Sequence, residues 1–163
     1  MVIKMKQNQG KKFEYNFKKS IPANMFCYRF KDGTANFTGN KNENVRFQAH
    51  NICDFMVYNG NKLFLIELKV HKGKSIPLNC IRPTQLEELT KASKYQNVKC
   101  GILIYFIEID KVYWIDIDKI NYFIYSDIER KSIPISYCEE NGIEITISRK
   151  KVNIVLELDK IFQ

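Results

Sequence analysis

Three side chains in the middle of this chain have the types and spacing for chemistry on a phosphodiester: Asp54, and then Glu67 and Lys69 two residues apart. Carboxylate oxygens are hard ligands for Mg2+, an ion that usually keeps several of its waters. An ammonium beside them can orient an attacking water or neutralise the charge that develops on phosphorus. Metal-assisted phosphodiester hydrolysis needs these functions in one place. Glu-x-Lys occurs by chance in most chains, so its meaning depends on whether the fold brings Asp54 to it.

The stretch from Asn51 to Lys69 decides that. Asp54-Phe55-Met56-Val57-Tyr58 and Leu63-Phe64-Leu65-Ile66 are apolar runs flanking Asn59-Gly60-Asn61, and Asn-Gly between two such runs is a strong hairpin signal. On the second run the even positions Phe64, Ile66, Leu68 and Val70 are apolar, while the odd ones pass from Leu63 and Leu65 to Glu67, Lys69 and His71. One face is buried and the other opens into a charged site. A two-residue turn at Asn59-Gly60 places Asp54 diagonal to Glu67, and a turn at Gly60-Asn61 places it directly opposite. A three-residue loop would send the carboxylates to opposite faces. The even-length turn is the expectation.

Charge supports a polyanionic partner. Of the net +8, residues 1–100 contribute 18 Lys and Arg against 7 Asp and Glu, and residues 101–163 contribute 8 against 11. The basic excess therefore travels with the carboxylate region, and neutralising phosphates is the usual work of such an excess. A length of 163 residues suits one domain with a substantial core. The chain has no apolar run long enough to span a bilayer and no secretory signal, so a soluble cytoplasmic protein without membrane partners is expected. Five scattered cysteines have no zinc-ligand spacing and read as reduced core residues.

The flanking elements should position the site. Phe13, Phe17 and Ile21 repeat at helical spacing before Pro22, with Glu14 at the margin of the stripe; it could hold a water at the metal. Met25 to Phe30 reads as a strand. Residues 33–50 form the longest polar tract, a loop or protrusion in which Lys41 and Arg46 join Arg29 as possible phosphate contacts. Lys72 and Lys74 lie in a basic segment leaving the site. Pro83 opens the clearest helix, Arg82 to Tyr95, whose inward Gln85 needs a hydrogen-bond partner and could fix Lys69 or a water. Val98 to Ile109 is apolar enough for a strand buried on both faces beside a crossover helix. Lys111 to Ile117 reads as an antiparallel partner, Asp118 to Ser126 as a short helix or strand with Asp118 as N-cap, and Ile143–Ser148 with Val152–Leu158 as a terminal hairpin. The result is an α/β fold, a mixed β-sheet flanked by helices.

The ordered set Gly10-x-x-Phe13-Glu14, Cys53-Asp54-Phe55, Glu67-Leu68-Lys69, Ser75-Ile76-Pro77-Leu78, Ile81-x-x-x-Gln85-x-x-x-Leu89 and Gly101 resembles the PD-(D/E)xK nuclease superfamily. More narrowly it resembles RecU-type Holliday junction resolvases of low-GC bacteria and their phages, as a phage-type member, over about Gly10 to Pro134. That resemblance implies a restriction-endonuclease-like αβββαβ core, with 1–163 as a single nuclease domain. It implies Mg2+, or Mn2+ as a substitute, held by Asp54 and Glu67, with Lys69, Glu14 and Gln85 completing the catalytic set. Arg29, Lys72, Lys74 and Arg82 would contact DNA. Branched DNA would be the partner, and a homodimer would make symmetric cuts in two opposed strands of a four-way junction, with the Tyr- and Ile-rich region after Val112 available as interface. Cys53 stands where the superfamily has proline, and residues 32–50 match the family's junction-entering stalk poorly. A duplex-cutting restriction-like or nicking endonuclease is the alternative within the same chemistry, and a non-catalytic DNA-binding module the alternative outside it.

Overall fold

The computed structural model describes residues 8–31 and 50–163; most of the polar tract expected to protrude, with Lys41 and Arg46, lies outside them. Helix α1, Gln9–Ser20, starts where the Asn8 side chain accepts the N–H groups of Gly10 and Lys11, an N-cap that satisfies donors the helix itself cannot. Lys18 and Lys19 sit in its last turn, where the helix dipole favours cations. Strands β1 (Phe26–Arg29), β2 (Phe55–Tyr58) and β3 (Leu63–His71) follow. After a short strand β4 (Ser75–Pro77) and a 3₁₀ turn, α2 (Pro83–Ala92) crosses to β5 (Val98–Phe106), which is answered by β6 (Lys111–Asp116). The core order is the expected αβββαβ.

One mixed sheet of six strands carries the fold, ordered β1-β2-β3-β5-β6-β8, with β8 spanning Ile143–Ile145. β3 and β5 are parallel and central; the other pairs are antiparallel. This is the restriction-endonuclease-like arrangement. Phe13 and Phe17 of α1 bury against Phe55, Val57, Phe64 and Ile66 on one face, together with C-terminal Leu156, Ile161 and Phe162. Each such side chain contributes about 1.5–3 kcal/mol of burial free energy. On the other face, Leu89 of α2 packs on Leu65 and Cys100, and Ile102, Ile104 and Ile115 lie under the following helices.

Several elements differ from the sequence expectation. The hairpin turn is even in length but not the two-residue turn at Asn59-Gly60. Asn59 Oδ1 accepts from the N–H groups of Asn61 and Lys62, and Gly60 takes φ +93°. The Asn59 N–H donates to the Lys62 carbonyl at 3.3 Å, so the turn is the other even-length placement, at Gly60-Asn61, and Tyr58 pairs with Leu63. Residues Ile117–Ser126 form helix α3 with N-cap Asp116, not Asp118, because the helix starts two residues earlier, directly from β6. Ile143–Ser148 is not one strand: β8 joins the main sheet, while β9 (Ile147–Lys150) pairs with β10 (Asn153–Leu156). Helix α4, Ile135–Asn141, was not foreseen, nor was the pairing of Ser75-Ile76-Pro77 with a second Ser-Ile-Pro, β7 (Ser132–Pro134). Cys80 is exposed rather than in the core.

Gly101 tests the central packing. A Cβ there would lie 2.5 Å from the Ile115 carbonyl oxygen and 2.5 Å from the Trp114 ring, closer than a backbone neighbour can relieve. Gly101→Ala is expected to cost about 1–3 kcal/mol by overpacking, read as a lower urea midpoint with unchanged slope.

Candidate active site

The site forms where β2 and β3 part. Continuing the β2–β3 ladder one step beyond Phe55 and Ile66 sets Asp54 opposite Glu67. The Leu68 N–H meets no β2 carbonyl there; it donates to Asp54 Oδ2 at 2.8 Å. The main chain of Asp54 stays in the sheet through its carbonyl, which accepts from Phe30 N–H at 2.9 Å. A side chain has taken over one rung of the ladder, and that fixes its carboxylate beside β3.

Glu67 is 3% exposed, and a carboxylate so placed requires partners. Lys69, two residues on and therefore on the same face, donates from Nζ to Glu67 Oε1 at 2.6 Å. Gln85, 2% exposed in the first turn of α2, donates from Nε2 to Oε2 at 2.7 Å. Pro83 at the start of α2 sets this geometry: it fixes where the helix begins and so which residue of its first turn faces the sheet. The expectation that Gln85 would hold Lys69 or a water gives way to a direct bond to the carboxylate.

Burial and the neighbouring Asp54 charge push Glu67 up from an ordinary 4.5 to about 7, against the opposing pull of Lys69 and Arg82. Burial raises Asp54 as well, with the Glu14 carboxylate adding to it and the Leu68 N–H and Lys69 working against it. A buried carboxylate beside a half-buried one resists carrying a second negative charge. Such a pair is primed for a positive charge between them.

Of the remaining predicted residues, Glu14 and Arg82 lie close enough to act electrostatically on the pair. Glu14 accepts from Arg29 Nε at 2.6 Å, so Arg29 is engaged with a carboxylate at the rim. Arg82 is exposed at the N-terminus of α2 and meets His50 Nδ1 at 2.9 Å. Lys72 and Lys74 are exposed in the turn between β3 and β4. Sequence reasoning missed the Leu68 N–H, a main-chain group that composition cannot reveal, and His50, which closes a tract read only as polar. Among the described residues no group of three or more His, Cys, Asp and Glu side chains could cage an ion.

A sequence model of the family described as Recombination protein U matches residues 8–160. The chain belongs to the RecU family. The match extends beyond the Gly10–Pro134 span of the sequence resemblance at both ends. Among RecU-like relatives, the SPbeta prophage-derived uncharacterized protein YotM of Bacillus subtilis (strain 168) is 34% identical, with 94% of this chain and 85% of that protein covered. The Holliday junction resolvase RecU of Streptococcus pneumoniae (strain P1031) is 26% identical over 55% of this chain and 44% of its own length. In structure the fold is similar to the Holliday junction resolvase Hjc of Archaeoglobus fulgidus, with a TM-score of 0.54 at 15% identity, covering 84% of this chain and 92% of that one.

The raised Glu67 value has a thermodynamic consequence. Between about 4.5 and about 7 the folded state binds a proton that the unfolded chain has released, so this group's contribution to stability falls as pH rises through that window. In EDTA, the melting temperature of the native protein should drop between pH 5 and pH 8, and Glu67→Gln should flatten the drop. Scanning calorimetry across that range measures both slopes; parallel slopes would contradict the assignment.

Proposed function

We propose that this protein is a Mg2+-dependent endonuclease that resolves four-way DNA junctions by paired phosphodiester hydrolysis, the whole chain acting as one nuclease domain. The observation that carries the reading is the buried Glu67, held on one oxygen by Lys69 and on the other by Gln85 while facing Asp54. Packing alone does not keep two carboxylates together out of water. Membership of the RecU family and the likeness to the Holliday junction resolvase RecU of Streptococcus pneumoniae support the junction as substrate.

The donor set suits Mg2+. Each carboxylate oxygen of Glu67 uses one lone pair on its present donor and retains another. Gln85 Oε1 is a buried acceptor with no donor among the described residues. Two carboxylates with an adjacent amide oxygen match an ion that takes one or two protein carboxylates and fills its shell with waters and phosphate oxygens. Asp54 and Glu67 would hold it, and when bound it supplies Lewis-acid polarisation of the phosphate and a lowered pKa for the attacking water.

The chain's own groups do the rest. Gln85 holds the Glu67 carboxylate in one orientation. The Leu68 N–H does the same for Asp54, so neither ligand has to reorganise during the reaction. Lys69 Nζ lies at the mouth of the pair, where it stabilises negative charge developing on the scissile phosphate. Glu14 and Arg29 border the same centre, Arg29 bringing positive charge to the rim. Exposed Lys72, Lys74 and Arg82 extend the basic surface along the backbone of a bound strand. Two copies in a homodimer would address the two opposed strands of a junction.

Cleavage of a labelled four-way junction and a matched linear duplex, with Mg2+ and with EDTA, tests this. Paired nicks in the junction alone are expected, abolished by chelation, restored by Mn2+, and reduced about 10²- to 10³-fold or more in Glu67→Ala and Lys69→Ala. Equal cutting of duplex would replace junction resolution with duplex hydrolysis, and tight binding without cutting would leave a binding module.

A further inference from the structure

The face of the sheet that carries Asp54 and Glu67 does not end at the site. In β1 the residues alternate, and the pairs Phe26–Tyr58 and Tyr28–Met56, with the Phe30 N–H on the Asp54 carbonyl one step further, put Phe30, Tyr28, Phe26, Met56 and Tyr58 on the side of Asp54. Helix α2 covers the first part of that face: Phe30 and Met56 pack at the margin of the cluster around Leu65 and Leu89. Beyond it, Tyr28 (43% exposed), Phe26 (56%) and Tyr58 (44%) stand in solvent. Tyr28 meets Phe30 edge-on at 5.4 Å between ring centroids, and the Tyr58 hydroxyl donates to the Gly60 carbonyl, so two of the rings are fixed.

A cross-strand aromatic pair such as Phe26–Tyr58 does stabilise a sheet edge, but that role is served by packing and leaves no reason for three rings to remain about half exposed in line with the carboxylates. The stripe is made of rings, with no exposed aliphatic side chain in it. The strand that carries it has no carboxylate: from Ile21 to Lys31 the charged residues are Arg29 and Lys31, both basic. A second copy of a chain of net charge +8 would bring like charge to this edge, whereas a nucleic-acid strand brings the opposite one. From Phe30 to Phe26 the strand rises about 13 Å, roughly the length of three to four stacked nucleotides.

We infer that Phe26, Tyr28 and Tyr58 form a stacking platform for unpaired bases of a DNA strand leaving the carboxylate site. The inference rests on the nuclease reading and adds to it a source of preference for branched or frayed DNA. Bases at a branch expose their faces, and stacking on aromatic side chains rewards that without reading sequence. Bases within an intact duplex cannot reach the platform.

The test uses a four-way junction and a single strand, each with 2-aminopurine near the branch or in mid-strand, and a blunt duplex as reference, all titrated in EDTA so that no cutting intervenes. The native protein should change the 2-aminopurine emission as the base stacks. The double variant Phe26→Ser, Tyr28→Ser should abolish that change and weaken binding to junction and single strand at least about fivefold more than binding to duplex. Phe26→Tyr and Tyr28→Phe, which keep the rings, should behave as native and show that loss of folding is not the cause. An emission change that persists in the double variant, or an equal loss on all three DNAs, overturns the platform. So does a shift of the double variant from dimer to monomer in sedimentation, which would make this edge a contact between copies. If the native protein cuts the junction with Mg2+ while ring removal has no effect, the platform alone fails; if it binds no DNA, the nuclease reading fails with it.

Discussion

Two carboxylates held side by side, Glu67 buried and Asp54 half-buried, are the constraint to which the rest of the structure answers. Coulomb repulsion and lost hydration both oppose them, and three devices hold them. β2 stops at Phe55, which lets Asp54 offer a side-chain oxygen to the Leu68 N–H in place of a backbone carbonyl. β3 continues two residues past Glu67, which brings Lys69 back onto the same side. α2 begins at Pro83, which aims Gln85 in its first turn at the sheet. Any one of these shifted by a residue would leave a buried charge unpaired, and that costs more than the pair could return.

The scaffold around these devices is stiff where it must be. β3 is one of the two parallel central strands, with β5, and is buried on both sides, and the site lies along it rather than on a loop. Glu14 reaches the site from α1 on the opposite face, anchored by Phe13 and Phe17 beneath it and by Arg29 beside it. The two Ser-Ile-Pro strands form a small sheet of their own, with Ile76 and Ile133 buried in the cluster that includes Ile104, the residue paired with Lys69. Proline at one end of each limits that sheet to three residues a strand.

Most of the core was legible in the sequence because its signals are local and periodic. The change of the odd face of β3 from Leu63 and Leu65 to Glu67 and Lys69 located the site, and the continuous apolar run of β5 marked a central strand. The turn parity placed Asp54 on the side of Glu67. Which of the two even-length placements is used, Gly60-Asn61 rather than Asn59-Gly60, was not legible, because the Asn59 side chain competes with the backbone for the Lys62 N–H, and dipeptide statistics do not register that competition. Helix α4 and the split of β8 from β9 were missed for a different reason: they are short, and long-range pairing with β6 and β10 rather than local periodicity determines them. The partner of Gln85 was undetermined in kind, since an inward amide announces only that it needs one.

The crossover between the parallel strands also orders events in time. Glu14, Asp54, Glu67 and Lys69 all precede α2, yet Gln85 is held in place only when α2 lies on β3 and β5, and β5 ends at Phe106. A chain lengthening at about 5–20 residues per second spends roughly 2–8 seconds between the addition of Glu67 and that of Phe106. Over that interval the growing polypeptide carries a net charge that rises from +6 to +11 but lacks the wall against which its carboxylates are set. Its positive charge is in place on the ribosome before its carboxylate pair is.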